Sequence, residues 1–215
     1  MIKALVFDMD GVIIDSEPLH AEISEGVLKE LGGQPAEREL YEFVGVRNEE
    51  MWAILKERHK LKESVEEILA LHEKHKRRRF TEEPIEPVEG IPELIREAKS
   101  KNLKIALATS SPKFLAEIIL ERLNLYSFFD ILIAASDISR AKPDPEIYLK
   151  AAEKLGVRPE ECIAVEDSYY GMMAAINAGM KCIVYDNPNA GNMEKSKADY
   201  VVASITEIDL DSIIG

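Results

Sequence analysis

The sequence predicts an α/β fold, a parallel sheet with helices on both faces, into which an all-helical domain is inserted after the first strand. From residue 91 onwards, short apolar runs alternate with helical stretches, a pattern typical of such a sheet. Residues 16–81 show helical spacing and no convincing strand, although an apolar strand precedes them. We therefore expect an α/β core domain of residues 1–15 and 82–215, interrupted by a helical domain of residues 16–81.

The first strand is expected at residues 2–7, a short apolar run rich in β-branched and aromatic side chains. After it, apolar residues recur at helical spacing until Gly32 and Gly33, which predicts the first helix of the insert. The helices expected in the insert are residues 17–31, 36–44, 49–59 and 64–80.

The alternation that defines the core begins after Pro84, Pro87 and Gly90, which mark a linker. The strands expected in this part are residues 103–108, 131–134, 162–165, 181–185 and 200–202. The helices expected here are residues 91–101, 112–123, 145–155, 168–178 and 207–214.

Composition limits the class of protein. The chain has 215 residues, 46% of them hydrophobic, and no apolar run approaches the roughly 18 residues of a membrane helix. Asp8 and Asp10 interrupt the N-terminal apolar run, so no signal peptide is expected. A net charge of −13 argues against nucleic acid as the main partner. Cys162 and Cys182 lie in apolar runs and are expected to be reduced core residues. We expect a cytoplasmic monomer that binds neither nucleic acid nor membranes.

Acidic residues gather at the predicted carboxyl ends of two strands. Asp8 and Asp10 follow the first strand, and Glu166 and Asp167 follow the strand at residues 162–165. Ligands of α/β sheets bind at this edge, and clustered negative charge is costly unless a cation neutralises it. Carboxylate oxygens suit Mg²⁺, so these four residues are candidate ligands. Ligand type alone does not decide between Mg²⁺ and Mn²⁺ or Co²⁺.

Three hydroxyl residues and one lysine are candidates for binding an anion. Thr109, Ser110 and Ser111 follow a predicted strand and open a predicted helix, where free backbone N–H groups also face outwards. Alone they would fit an ordinary helix cap, and Lys142 alone would fit a surface lysine. Beside the acidic residues, Thr109, Ser110 and Lys142 are expected to hold a phosphoryl group. A carboxylate next to such a site can attack phosphorus and form an acyl phosphate.

The spacing of Asp8, Asp10 and Gly11 could also begin a Ca²⁺-binding loop of the EF-hand kind. Counted from Asp8, the fifth position is Val12 and the twelfth is Leu19, where a glutamate is needed. We reject this alternative.

Together the motifs resemble the signatures of the haloacid dehalogenase-like (HAD) superfamily, in particular its β-phosphoglucomutase-like branch of sugar-phosphate phosphatases and mutases. The resemblance covers essentially the whole chain. It implies a Rossmann-like core whose first strand lies between the strands ending at Thr109 and Glu166, with a helical cap inserted after the first motif. The matching motifs are residues 8–12, 109–110, 142–143 and 166–168, with Gly171 and residues 178–179.

The resemblance also implies a role for each residue of the core. Asp8 would be the nucleophile that becomes phosphorylated, and Asp10 would be the general acid and then the general base. Mg²⁺ would be held by the Asp8 carboxylate, the Asp10 backbone carbonyl and Asp167, with Glu166 bound directly or through water. The residues implied to bind the phosphoryl group are Thr109 and Lys142.

In the cap, the candidates for substrate contacts are His20, Arg47 and Lys76. Lys76 belongs to a basic run at residues 74–79, most of which is expected to be a solvated helix face, and Lys74 is the second choice. For His20 the alternative is a packing histidine on the first cap helix.

The resemblance leaves both a phosphatase and a mutase open. A mutase needs a cation in the cap for a second phosphate, which the three cap candidates could supply. Mutases of this branch tend to have Thr-Ala after the aspartate at position 15, whereas residues 16–18 read Ser-Glu-Pro, as in the phosphatases. We therefore expect hydrolysis of small sugar phosphates, with β-phosphoglucomutase as the alternative. A dehalogenase would not need the Mg²⁺ site, and a non-catalytic binding protein would not need the complete acidic set.

Overall fold

The chain divides into two units. The first unit consists of Met1–Asp15 and Ile85–Gly215, and the second consists of Ser16–Pro84, which separates these two segments in the sequence. The computed structural model describes residues 1–37, 39–43, 46–190 and 193–214. That the second unit acts as a cap stays a prediction.

A single parallel sheet forms the centre of the first unit. Its strands are β1 (Ala4–Phe7), β2 (Lys104–Ala108), β3 (Ile131–Ile133), β4 (Cys162–Glu166), β5 (Lys181–Tyr185) and β6 (Tyr200–Val202). They are arranged in the order β3-β2-β1-β4-β5-β6, and each pairs in parallel with its neighbours. The predicted α/β fold is confirmed, and β1 lies between β2 and β4 as the resemblance implied.

The helices run close to the predicted positions. In chain order they are α1 (Ser16–Glu30), α2 (Asn48–His59), α3 (Val65–Glu82), α4 (Ile91–Ser100), α5 (Lys113–Arg122), α6 (Glu146–Leu155), α7 (Tyr169–Asn177) and α8 (Leu210–Ile214). Within the described residues, none of them is both long enough and apolar enough to cross a membrane.

The central strands are buried because helices cover the sheet. All four residues of β1 are buried, and this explains why parallel strands read as apolar runs without alternation. Small side chains on one face of the sheet contact α6 and α7. Cys162 and Cys182 belong to this core and are unpaired, as predicted, and burial raises the pKa of both thiols.

One predicted helix, residues 36–44, is wrong. The structure has a short 3₁₀ helix there, Glu39–Phe43, and Val44 lies outside the described residues. The Glu39 carboxylate accepts hydrogen bonds from the Ala36 backbone N–H at 2.9 Å and from Arg58 at 2.7 Å. These bonds hold a turn at the start of the segment, so an α-helix does not begin at Ala36.

The predicted last helix is also shorter than expected. A 3₁₀ helix, Ile205–Glu207, comes before α8, and the Asp209 carboxylate accepts hydrogen bonds from the backbone N–H groups of Asp211 and Ser212. A side chain that accepts from these N–H groups marks the start of a helix, and so α8 begins only at Leu210.

In the described part of the second unit, α1, α2 and α3 pack around an apolar core of their own. The buried residues of this core are Val27, Leu28, Leu40, Phe43, Met51, Trp52, Leu55, Leu61 and Ile68. Ser64 and Glu67 form a capping box at the start of α3, which explains why this long, highly charged helix begins where the sequence predicts.

Candidate active site

Asp8 lies immediately beyond β1, at the carboxyl edge of the sheet. Its backbone N–H donates to the Val165 carbonyl of β4 at 3.0 Å, so the sheet fixes its position. Its side chain is almost completely buried, and Oδ1 accepts a hydrogen bond from Lys142 Nζ at 2.9 Å. Asp8 is therefore a rigidly held carboxylate paired with a buried ammonium group.

A tight turn follows Asp8 and passes against Asp167. Gly11 has a φ of +81°, and a Cβ at this position would lie 1.8 Å from Oδ2 of Asp167. Only glycine fits both the backbone conformation and this close approach. The turn also carries Asp10, whose Oδ2 accepts a hydrogen bond from Ser111 Oγ at 2.7 Å.

The Glu166 carboxylate is fully buried and surrounded by donors. Its Oε1 accepts from Lys142 Nζ and from the Tyr148 hydroxyl, both at 2.6 Å. Its Oε2 accepts from the Asp167 and Ser168 backbone N–H groups and from Ser168 Oγ. A Cβ on Gly171 would lie 1.8 Å from Oε1, so glycine at this position gives the carboxylate its space.

Lys142 joins three neighbouring parts of the sheet. Its Nζ donates to Asp8 Oδ1, to Glu166 Oε1 and, at 3.2 Å, to the carbonyl oxygen of Ala108 at the end of β2. Burial alone would lower the pKa of Lys142, but the negative charges of Asp8 and Glu166 raise it above its ordinary value. Lys142 is therefore a buried cation and not a surface lysine.

The buried acids exceed the positive charge beside them. Burial, and then the neighbouring carboxylates, raise the pKa of Asp167 from 3.8 to about 9. Burial is also the main cause that raises the pKa of Asp8 to about 7, against the opposing effect of Lys142. One ammonium group therefore does not neutralise this cluster.

The donor set fits a hard divalent cation. Asp8, Glu166 and Asp167 each offer a carboxylate oxygen, and these three atoms lie within 4.8 Å of one another. Oxygen ligands of this kind are those that Mg²⁺ prefers, and a dication would offset the excess negative charge. The Asp10 carboxylate instead accepts a hydrogen bond from Ser111. That Asp10 binds Mg²⁺ through its backbone carbonyl stays a prediction.

The hydroxyl residues after β2 do not form an ordinary helix cap. Pro112 is the N-cap residue of α5, and it makes no side-chain capping hydrogen bond. Thr109 is buried, its Oγ1 accepts from the Ser111 backbone N–H at 3.0 Å, and Ser110 is exposed. These residues form a loop at the same edge of the sheet as Asp8, and their role in binding phosphate stays a prediction.

The predicted substrate residues of the second unit differ in their surroundings and in their exposure. The His20 ring packs edge-on against Phe80, with 6.0 Å between ring centroids. Arg47 is highly exposed and is the N-cap residue of α2, while Gly45 before it lies outside the described residues. Lys76 is half-buried and Lys74 is exposed. Their contacts with substrate stay predictions.

Membership of a family can be tested by comparing the whole sequence with models of known protein families. The sequence profile described as "Haloacid dehalogenase-like hydrolase" matches residues 5–185 of this chain. The chain belongs to the haloacid dehalogenase-like hydrolases.

Similar proteins in this family include named phosphatases. The "Phosphorylated carbohydrates phosphatase" of Thermotoga maritima is 38% identical over 183 residues, covering 85% of this chain and 84% of the relative. Hexitol phosphatase B of Escherichia coli (strain K12) is 34% identical over 221 residues, covering 100% and 97% of the two chains. The crystal structure of a β-phosphoglucomutase from Clostridium difficile matches with a TM-score of 0.73 and 29% identity, over 99% and 96% of the chains.

These findings confirm the predicted family and the predicted class of enzyme, a phosphoric monoester hydrolase. The individual roles of the site residues in this haloacid dehalogenase-like hydrolase remain predictions.

Two residues that the sequence interpretation did not assign contribute hydrogen bonds at this edge of the sheet. The Tyr148 hydroxyl donates to Glu166 Oε1 at 2.6 Å, and Asn187 Nδ2 donates to the Gly11 carbonyl at 3.0 Å. Ser111, expected only among the anion-binding hydroxyls, donates instead to Asp10. Asn187 is a buried polar residue just after β5, so the rule applied to β1 and β4 could have found it. Tyr148 gave no such signal, because it lies inside an amphipathic helix and reads as a core residue.

Proposed function

We propose that this hydrolase is a Mg²⁺-dependent phosphatase of small phosphorylated carbohydrates that acts through an aspartyl-phosphate on Asp8. The observation that carries the proposal is the buried Asp8 carboxylate, held between the Lys142 ammonium group and two further acids at the carboxyl edge of the sheet. The substrate class is supported by the relatives named for phosphorylated carbohydrates and hexitols.

In the first step, the Asp8 carboxylate attacks phosphorus, an oxygen–phosphorus bond forms, and the bond from phosphorus to the sugar oxygen breaks. Asp10 donates a proton to the departing sugar oxygen. The Ser111 hydroxyl, 2.7 Å from Asp10 Oδ2, keeps this carboxyl group in place.

In the second step, Asp10 takes a proton from a water molecule, and this water attacks phosphorus. The bond from phosphorus to Asp8 breaks, which releases inorganic phosphate and restores the Asp8 carboxylate. The same residue therefore serves first as acid and then as base.

Mg²⁺ would be held by Asp8, Asp167 and the Asp10 backbone carbonyl, with Glu166 bound directly or through water. Three carboxylate oxygens within 4.8 Å and the raised pKa values of Asp8 and Asp167 support this assignment. When bound, the ion would supply positive charge that reduces repulsion between the nucleophile and the phosphoryl oxygens.

The phosphoryl group would be bound by Lys142, Thr109 and Ser110, and the sugar by His20, Arg47 and Lys76. Lys142 is the best supported of these, because its ammonium group already contacts Asp8. Mn²⁺ or Co²⁺ could replace Mg²⁺ in a site of oxygen ligands. We further propose that the protein is cytoplasmic and monomeric. Light scattering of the purified protein would test the monomeric state.

β-Phosphoglucomutase is the second candidate. It is favoured by the similarity to the Clostridium difficile enzyme, and opposed by the Ser-Glu-Pro sequence at residues 16–18. In a mutase the phosphoryl group on Asp8 returns to a sugar phosphate instead of passing to water.

Product analysis on the purified protein with Mg²⁺ separates the two candidates. Inorganic phosphate is measured with a panel of hexose, pentose and tetrose phosphates. Glucose 6-phosphate is measured in parallel from β-glucose 1-phosphate with a trace of the 1,6-bisphosphate. Phosphate release from several sugars with little isomerisation supports the phosphatase. Fast isomerisation with little phosphate release overturns it in favour of the mutase.

A further inference from the structure

All three N–H groups of the Lys142 ammonium have a partner in the structure. The acceptors are Asp8 Oδ1, Glu166 Oε1 and the Ala108 carbonyl oxygen, and a protonated lysine has no further proton to donate. A phosphoryl oxygen that binds Lys142, as the proposed function requires, must therefore take the place of one of these acceptors.

Of these acceptors, Glu166 Oε1 has a further donor of its own. The Tyr148 hydroxyl donates to the same oxygen at 2.6 Å, and Tyr148 is completely buried. Glu166 Oε1 would thus still accept a hydrogen bond if Lys142 moved away.

Without Tyr148, release of Lys142 would be unfavourable. Glu166 is fully buried, so bulk solvent does not reach Oε1 to replace a lost donor, and its other oxygen already has separate donors. A buried acceptor without a partner is costly, and this cost is larger for a charged group. Glu166 would then compete with the phosphoryl group for Lys142.

We propose that Tyr148 is a positioning residue, whose hydroxyl satisfies Glu166 while Lys142 turns from Glu166 to the phosphoryl group. This inference rests on the proposed function, because it concerns the binding of phosphate by Lys142. Tyr148 lies beside the lysine as well, with Nζ 5.3 Å from the centre of its ring. The ring therefore limits where the ammonium group can move.

The test is the variant Tyr148→Phe, which removes one oxygen and keeps the ring. Calorimetric titration with Mg²⁺ alone, and then with inorganic phosphate in the presence of Mg²⁺, gives the two dissociation constants. We expect the affinity for phosphate to fall about tenfold, and by clearly more than the affinity for Mg²⁺, which also depends on the donors around Glu166. Tyr126→Phe is the matched control, because Tyr126 is exposed on a 3₁₀ helix, Tyr126–Phe128, and should change neither constant.

Two results would overturn the inference. One is an unchanged phosphate affinity in Tyr148→Phe. The other is an equal loss of Mg²⁺ and phosphate affinity, which would mean that Tyr148 only supports the fold of the site. Thermal unfolding of both variants identifies a general loss of structure.

The titration also separates this inference from the proposed function. Wild-type protein that binds phosphate in a Tyr148-dependent manner, yet hydrolyses no sugar phosphate, would refute the function and keep the inference. Wild-type protein that hydrolyses sugar phosphates, with Tyr148→Phe equal to it in phosphate affinity, would refute the inference alone. Wild-type protein that does not bind phosphate would refute the inference, and hydrolysis of the sugar-phosphate panel alone would then decide the function.

Discussion

Protonation of the buried His72 should destabilise the helical unit as the pH falls. The Trp52 indole N–H donates to His72 Nδ1 at 2.7 Å, which fixes the neutral ring with its proton on Nε2. Nε2 is itself buried and has no hydrogen-bond partner among the described residues. A second proton would have to go on Nδ1, and it would then face the Trp52 donor and break the hydrogen bond.

The structure gives the direction and size of the effect. Burial, followed by the positive charges of His20, Lys76 and His75, lowers the pKa of His72 from 6.5 to about 4. Between these pH values the unfolded chain binds a proton that the native chain does not, so the free energy of unfolding decreases as the pH is lowered. The full difference is roughly 3 kcal/mol at about 1.4 kcal/mol per pH unit, and about 2 kcal/mol of it is lost between pH 7 and pH 5.

Trp52 is the only tryptophan of the chain, so its fluorescence reports on this unit alone. We would measure the free energy of unfolding in urea from pH 7 to pH 4.5 for the wild type and for His72→Gln. Glutamine can still accept from Trp52 but does not titrate, and every other acid is common to both proteins. The wild type should lose about 2 kcal/mol more than the variant by pH 5. Parallel pH curves for the two proteins would refute the reasoning.

Three further predictions concern the proposed reaction. Asp8→Asn should abolish phosphate release while far-ultraviolet circular dichroism and thermal unfolding stay close to wild type, and substantial residual turnover would contradict the role of nucleophile. Gly171→Ala should weaken Mg²⁺ binding at least tenfold in a calorimetric titration, because the new Cβ would lie 1.8 Å from Glu166 Oε1, whereas Gly26→Ala, whose Cβ would have an ordinary 3.4 Å contact, is the control. An equal affinity for Mg²⁺ in these two variants would contradict this assignment. Arg47→Ala should lower kcat/KM about tenfold for sugar phosphates with a second charged group and much less for a small aryl phosphate, and equal losses would place Arg47 outside the specificity site.

Local patterns were sufficient for the architecture and for the charged residues of the site. A strand such as β4 is an apolar run that ends at an acid, and both features lie within a few neighbouring residues. Because parallel strands end at one edge of a sheet, the acids after β1 and β4 could be expected to meet. The structure brings Asp8, Glu166 and Asp167 together in this way.

Local patterns failed where a side chain binds a partner far along the chain. The apolar spacing of residues 36–44 predicted a helix, but Glu39 binds Arg58, nineteen positions later, and the segment forms only a 3₁₀ helix. Tyr148 and Glu166 are eighteen positions apart, and the helical pattern around Tyr148 shows only that it faces a core.

The sequence by itself therefore determined the order of the strands and helices and the place of the charged residues, because these depend on short-range periodicity and on the geometry of parallel sheets. Only the tertiary structure decided which donors surround each carboxylate. The donors to Glu166 from Tyr148 and Lys142 lie on α6 and in the segment before it, and the packing of α6 against the sheet brings together these side chains, which are distant in the sequence.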